Sequence, residues 1–293
     1  MSNILSFGEI LWDIFPEYKK PGGSPANLAY HLHVLGNKSN LISKVGKDNN
    51  GKELVTFISK KGLNTDFIQT DTKFPTGTVG VKFIEGEPTY TIHHPAAWDF
   101  IEMTEQLGSA VQHADAICYA SLSQRQDVSR NTLRKILKRG KPGCLKVFDL
   151  NLRQPFVDQT SILESIEWAD VIKFNEEELA TVSSWLNTND LPRHLLEKNP
   201  GKILLVTLGV KGSKMITSSD VFEQEAFPIS NLGDLVGVGD AFLACVIHQL
   251  LKKTDSNDLL PRANRYASFV ASQKGGMPEI PDHIVQYVNS KSG

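Results

Sequence analysis

Cysteine is scarce in this chain and carries no pattern. Cys118, Cys144 and Cys245 form no CxxC pair and leave an odd count, which argues against a disulfide framework and against a thiolate metal knuckle. Each sits in an apolar stretch, so buried free thiols in a reducing compartment are expected. Neither sign of charge dominates: 31 basic and 33 acidic residues leave a formal net charge of -2. That balance offers no field to attract a nucleic acid or an anionic membrane, although a local basic pocket would still suit a small anion. Long apolar runs are missing too. The longest, residues 241–251, is too short to span a bilayer and contains His248. The opening MSNILSFGEILWDIF is interrupted by Glu9 and Asp13 and has no basic leader, so no secretory signal is expected and a cytoplasmic protein is.

What is present is ordinary globular material, 293 residues of which 40% are hydrophobic, enough for one large domain. Residues 4–7 form an apolar run ended by Gly8, which predicts a buried strand. Ser24 is placed as an N-cap with Pro25 at the first helical position, and Gly36 closes that helix. A strand is expected at 41–45 and a helix at 51–61 ended by Gly62. Residues 76–83 and 88–93, split by Glu85-Gly86-Glu87, have the texture of a hairpin with partly polar faces, a flap rather than a core pair. Strands at 116–120, 145–150, 171–174 and 202–208 then alternate with helices such as 128–138 and 176–184. Alternation of that kind predicts a mostly parallel sheet with helices on both faces. A second hairpin at 213–217 and 221–227 leads to helices at 239–252, 259–273 and 281–290. The whole is expected to be one α/β domain, 1–293, with a small β lid formed near 10–21 and 75–100.

Two glycine-rich stretches carry chemistry. Gly237-Val238-Gly239-Asp240 precedes an apolar helical run. Glycines at such a junction let backbone N–H groups converge, and the helix start adds partial positive charge. The result is a hole for charge on a transferring phosphoryl group, with Asp240 beside it as a base for an attacking hydroxyl. Alone, this stretch equally fits a loop with a helix-start carboxylate. It is not a Walker A loop, since no Gly-Lys-Ser/Thr follows, and it lies too far from the first strand for a dinucleotide fingerprint. The earlier stretch, Gly22-Gly23-Ser24-Pro25-Ala26-Asn27, sets flexible backbone and a side-chain amide at the start of the first helix. With Asp13 as a bidentate acceptor, it suits the hydroxyls of a polyol.

Taken together, these residues make the chain similar to the PfkB, or ribokinase-like, family of carbohydrate kinases over essentially its whole length. The early signature is matched at Gly22-Gly23-x-Pro25-x-Asn27-x-Ala29, Gly36 and Gly46, and the late one at Asp234-Leu235-Val236-Gly237-Val238-Gly239-Asp240-Ala241-Phe242. The resemblance implies a three-layer sandwich with a β lid, ATP and Mg²⁺ as cosubstrate and metal, and K⁺ as an open point. It makes Asp240 the catalytic base, with the backbone at Gly237, Val238 and Gly239 forming the anion hole. Asn175 and Glu178, in Asn175-Glu176-Glu177-Glu178, would help hold Mg²⁺ through waters; without the family, the same acids are a helix N-terminus meeting its dipole. Thr207, Gly209 and Gly212 would face the nucleotide together with Asn175, and Ala271 and Gly275 would line the adenine.

Within the family, Gly8-Glu9-Ile10-Leu11-Trp12-Asp13, His94 to Asp99, Asp149-Leu150-Asn151-Leu152-Arg153 and Gln273 to Pro278 resemble bacterial fructokinases. By that likeness Asp13, Gly22, Gly23 and Asn27 would bind the sugar. Ala97 and Trp98 would close over it from the lid, and Arg153 would approach sugar or phosphates. Two positions depart from the family pattern: Leu235 stands where Thr is usual and Val238 where Ala is usual. They put nucleotide affinity and cation dependence in question. The expected reaction is phosphorylation of fructose to fructose 6-phosphate. The alternatives are a kinase for ribose, 2-keto-3-deoxygluconate or a nucleoside, and a non-catalytic sugar-binding protein on the same scaffold. A dehydrogenase is disfavoured by the missing early fingerprint. The polar-faced hairpin also raises a homodimer formed through the lid.

Overall fold

The structure, a computed structural model, describes residues 1–84, 87–229 and 231–290. In chain order, β1 (Asn3–Phe7), β2 (Leu11–Ile14) and β3 (Lys19–Gly22) precede α1 (Ser24–Val34), β4 (Lys38–Gly46), α2 (Asn49–Lys60) and β5 (Ile68–Asp71). The hairpin strands β6 (Gly77–Ile84) and β7 (Glu87–Ile92) follow, then α3 (Glu105–Gln112), β8 (Ala116–Ala120), α4 (Asp127–Arg139) and β9 (Leu145–Asp149). Next come α5 (Gln159–Trp168), β10 (Val171–Asn175), α6 (Glu176–Trp185), α7 (Leu191–Lys198), β11 (Ile203–Thr207), β12 (Ser213–Ile216) and β13 (Val221–Gln224). Three helices end the chain: α8 (Val238–Leu251), α9 (Ser256–Ala271) and α10 (Asp282–Asn289).

A nine-stranded sheet runs in the order β13-β12-β11-β10-β9-β8-β1-β4-β5. It is parallel from β11 to β5, and β12 and β13 join antiparallel at one edge. Side chains alternate across a strand, and here the alternation sorts residues into two cores. Leu5, Ile117, Phe148, Ile172 and Leu204 pack with α3 to α7 on one face. Ile4, Ala116, Cys118, Val147, Val171 and Leu205 pack with α1, α8, α9 and α10 on the other. Fully burying each of these larger side chains contributes roughly 1.5–3 kcal/mol, so the sheet is clamped between two helical layers. The fold is the ribokinase-like α/β sandwich expected from the resemblance.

Helix α8 is apolar all round and buried from Asp240 to Gln249, as befits a helix enclosed on every side. Its rigidity matters because its first turn points at the carboxyl ends of the parallel strands. A separate four-stranded sheet, β3-β2-β6-β7, stands over that end as the lid. Residues 97–100 do not belong to it: they form a 3₁₀ turn whose Ala97, Trp98 and Asp99 are buried in the main core. The turn assigned to 85–87 falls partly on residues outside those described. The three cysteines are free and buried, as expected. Among the described residues no helix is long and apolar enough to cross a membrane.

Candidate active site

Parallel strands leave a crevice beyond their carboxyl ends, and here the lid roofs it. The resulting cavity, about 650 Å³, is lined by residues that follow or end β1, β9, β10 and β11, by the start of α1, and by the start of α8. Of the residues expected at a site, Asp13, Gly22, Gly23, Asn27, Arg153, Asn175, Glu178, Thr207, Gly237, Gly239 and Asp240 all line it.

Asp240 occupies the first turn of α8, where the leading amides lack intrahelical partners. Gly237 starts the helix in the left-handed region, φ 76, with its backbone against Gly276. Two side chains of α1 hold the Asp240 carboxylate: Ser24 Oγ donates to Oδ1 at 2.6 Å and Asn27 Nδ2 donates to Oδ2 at 2.8 Å. Ser24 is thus not the helix cap. Gly23 takes that position with φ 110, freeing the Ser24 hydroxyl to reach across to Asp240. Asn27 likewise turns its amide to Asp240 first. Burial pushes the Asp240 carboxyl up to about 6; the nearby charge of Asp149 adds to the rise, while the two hydrogen bonds and Lys173 oppose it. A base with that value is ionised at neutral pH yet still takes a proton readily.

Lys173, not foreseen from sequence, is buried on β10. Its Nζ donates to Asp149 Oδ1 at 2.9 Å, and it lies 3.5 Å from where a Cβ on Gly239 would stand. An ammonium therefore sits against the first turn of α8. Burial alone would lower its pKa, but the carboxylates of Asp149, Glu178 and Asp240 outweigh burial and the net shift is upward. Lys173 stays charged, and it adds a full positive charge to the helix-end amides.

Asn175 and Glu178 form a capping box at the start of α6. Glu178 N–H donates to Asn175 Oδ1 at 2.7 Å, and Asn175 N–H donates to Glu178 Oε2 at 2.8 Å; Leu152 N–H takes the other Glu178 oxygen at 3.0 Å. Burial raises the Glu178 pKa despite Lys173. The pair caps the helix, as the acidic stretch by itself suggested, and it also lines the cavity. With its oxygens already accepting amide hydrogens, it fits a hydrated Mg²⁺ better than a directly ligated one.

On the lid side, Asp13 is pushed up to about 6 by burial, against the pull of Lys20 and Arg153. Glu9, just past β1, is pushed up to about 7 by its complete burial. Lys20 on β3 pairs with Asp234 Oδ2 at 2.9 Å, linking the lid to the loop before α8, and Gly275 N–H also donates to Asp234. Partial burial pushes Asp234 up, but these donors win and hold it below the usual carboxylate range.

Several expected residues lie elsewhere. Ala97 and Trp98 are fully buried and do not line the cavity. Trp98 lies under the Arg125 guanidinium, 3.9 Å from its ring centre, while Arg125 pairs with Asp99 at 2.7 Å. Residues 96–99 are therefore a core anchor beneath the lid, with His94 and Pro95 exposed, and the lid's own Val79, Tyr90 and Ile92 face the cavity instead. Val238 packs its side chain into the core around α8. Gly212, at φ 104, makes the tight entry to β12, and Gly209 lies in the turn before it. Ala271 is buried at the end of α9, its carbonyl accepting from Gly233 N–H at 2.8 Å, and Gly275 serves as the Asp234 donor. Among the described residues these five do not line the cavity. Glu9, Ser24, Asp149, Asn151, Lys173 and Leu235 do. The readable signal for two of them was a charged residue within, or ending, an otherwise apolar buried strand.

A buried carboxylate held by two side chains, a glycine-rich helix start and the Gly22-Gly23 turn thus share one roofed cavity. Residues 16–283 match the pfkB family carbohydrate kinase model. The chain belongs to this family. A sugar kinase of Pyrococcus horikoshii is 31% identical over 98% of this chain and 96% of its own length. Its crystal structure, described as that of an uncharacterized sugar kinase, superimposes with a TM-score of 0.79, covering 94% of this chain and 93% of that one. A fructokinase from Vibrio alginolyticus is 29% identical over 96% of each chain. Fructokinase with bound ATP from Xylella fastidiosa gives a TM-score of 0.87 at 20% identity, covering 98% and 97% of the two chains, a likeness of fold. As a PfkB kinase, the protein transfers phosphate to a sugar hydroxyl.

Proposed function

We propose that this PfkB kinase transfers the γ-phosphoryl group of ATP to the 6-hydroxyl of fructose. The observation that carries the reading is the doubly held Asp240 carboxylate in the same cavity as Asp13 and the Gly22-Gly23 corner. Asp13 and the backbone at Gly23 would take the sugar hydroxyls and present one of them to Asp240. Asp240 accepts its proton as the new O–P bond forms. The first amides of α8 and the Lys173 ammonium meet the charge on the equatorial oxygens. Mg²⁺ would neutralise charge on the nucleotide, with Asn175 and Glu178 holding its water shell. The lid and its Lys20–Asp234 link exclude water, which would otherwise compete with the sugar.

Arg153 lines the cavity, and among the described residues its side chain hydrogen-bonds to the Leu152 carbonyl alone. This favours a second reading, an acidic sugar acceptor paired to the guanidinium. ADP release measured across fructose, ribose, 2-keto-3-deoxygluconate and a nucleoside decides between them. Fructose is expected to give the highest kcat/KM, by at least about tenfold, which is about 1.4 kcal/mol of transition-state preference. A larger value for the sugar acid would replace fructose with the second reading, and ADP release with none of them would sink both.

A further inference from the structure

One face of α1 carries Ser24, Asn27 and His31, at spacings that stack side chains along a helix. Ser24 and Asn27 hold Asp240; His31 lies deeper, fully buried and off the cavity wall. Its Nε2 is 3.0 Å from the Gly276 carbonyl oxygen and its Nδ1 is 3.0 Å from Tyr266 Oη. A carbonyl can only accept, so Nε2 carries the hydrogen and Nδ1 accepts from the tyrosine hydroxyl. Burial holds the ring neutral, its pKa lowered to about 3, so this tautomer persists across the working range.

Gly276 is a spacer with no room to spare. A Cβ on it would lie 2.5 Å from Asn27 Oδ1, and a Cβ on Gly237 would lie 2.6 Å from Gly276 Cα. The Gly276 backbone thus separates the amide that holds Asp240 from the left-handed residue that starts α8. The next two carbonyls are also anchored, Met277 O by Lys61 Nζ at 2.7 Å and Pro278 O by Tyr30 Oη at 2.5 Å. Those anchors lie nearer the surface and beyond the spacer. The histidine bond falls on the spacer itself.

We propose that His31 is a positioning residue for phosphoryl transfer: through Gly276 it sets the orientation of the Asp240 carboxylate and of the first α8 amides. It touches neither sugar nor nucleotide, and the inference rests on Asp240 being the base. Small displacements of catalytic groups cost rate steeply, up to ~10²-fold for ~1 Å. Removing the bond should therefore lower kcat while leaving sugar KM nearly fixed.

The test compares His31→Leu, His31→Gln and His31→Asn with wild type, using the sugar of highest turnover, with thermal melts to establish folding. The Gln amide nitrogen can stand where Nε2 stands and donate to Gly276; the shorter Asn amide reaches only toward Tyr266. Gln is expected to keep kcat within about threefold of wild type, and Asn and Leu to lose roughly tenfold or more, with KM within about twofold. A folded Leu variant at wild-type kcat overturns the proposal. Should Leu fail to fold, His31→Gln and His31→Asn decide, and equal rates for the two overturn it. Asp240→Asn run alongside separates the layers. A fast Asp240→Asn variant removes the base and this inference together. A slow one, with His31→Asn as fast as His31→Gln, removes only the positioning role.

Discussion

Asp240→Asn is expected to lower turnover by at least ~10²-fold, the ordinary contribution of a positioned general base, while changing sugar affinity by no more than a few fold. Ser24 and Asn27 should keep the new side chain in place, because the asparagine amide can donate to Ser24 Oγ while its oxygen still accepts from Asn27. The same variant is expected to be more stable than the wild type at pH 8. The Asp240 pKa rises on folding from 3.8 to about 6. Ionised Asp240 therefore opposes folding, by nothing below about pH 3.8, increasingly between the two values, and fully above about pH 6. A shift of that size corresponds to a cost on the order of 3 kcal/mol, which asparagine does not incur. Urea melts at pH 8 and pH 4 should show a gain at the first and little at the second. A variant that is slow and also less stable at pH 8 would mean that the carboxylate is structural.

The second large effect is expected at Lys173. Replacing it with Met leaves Asp149 buried without its partner and brings Glu178 and Asp240 into a field of uncompensated negative charge. Stranding one member of a buried pair costs about 3–5 kcal/mol, which for a chain this long lowers Tm by roughly 5–15 °C. The rate should fall as well, if the proposed anion site at the start of α8 draws on the Lys173 ammonium beside it. Calorimetry of Lys173→Met against Lys173→Met/Asp149→Asn separates the two consequences. Neutralising both partners should recover most of the stability and little of the rate. Recovery of both would make Lys173 a structural ion-pair residue with no part in phosphoryl transfer.

The central strands were legible because each is a short apolar run inside a parallel sheet, and β8 at Ala116–Ala120 matches its expected bounds residue for residue. The short helices α3, α5 and α7 were not assigned. Their caps Thr104, Asp158 and Asp190 were readable in principle. The edge strand β5, with Thr70 exposed and only the polar Asp71 buried, gave no apolar alternation.

In the cavity wall, Gly22, Gly23, Gly237, Gly239 and Asp240 were legible because backbone freedom and a helix start leave a mark in sequence. Lys173 was not. Its meaning depends on Asp149 from another strand and on the approach of α8, neither of which spacing reveals. Trp98, expected from the family likeness to close over the sugar, is instead a buried plug, with Arg125 stacked on it and bonded to Asp99. Ser24 was read as a cap because capping is the usual role of a serine before Pro. Gly23 takes that position at φ 110, where an added Cβ would lie 2.4 Å from the Glu9 carbonyl oxygen.

The most direct measurement is log(kcat/KM) against pH for wild type and Asp240→Asn between about pH 4.5 and 8. The wild type should climb more steeply below pH 6 than the variant, which lacks the Asp240 limb and keeps only the limb that Asp13 contributes. Asp13, which also titrates near 6, is present in both proteins. A limb that survives unchanged in the variant would therefore belong to another group, and Asp240 would not be the residue that takes the proton.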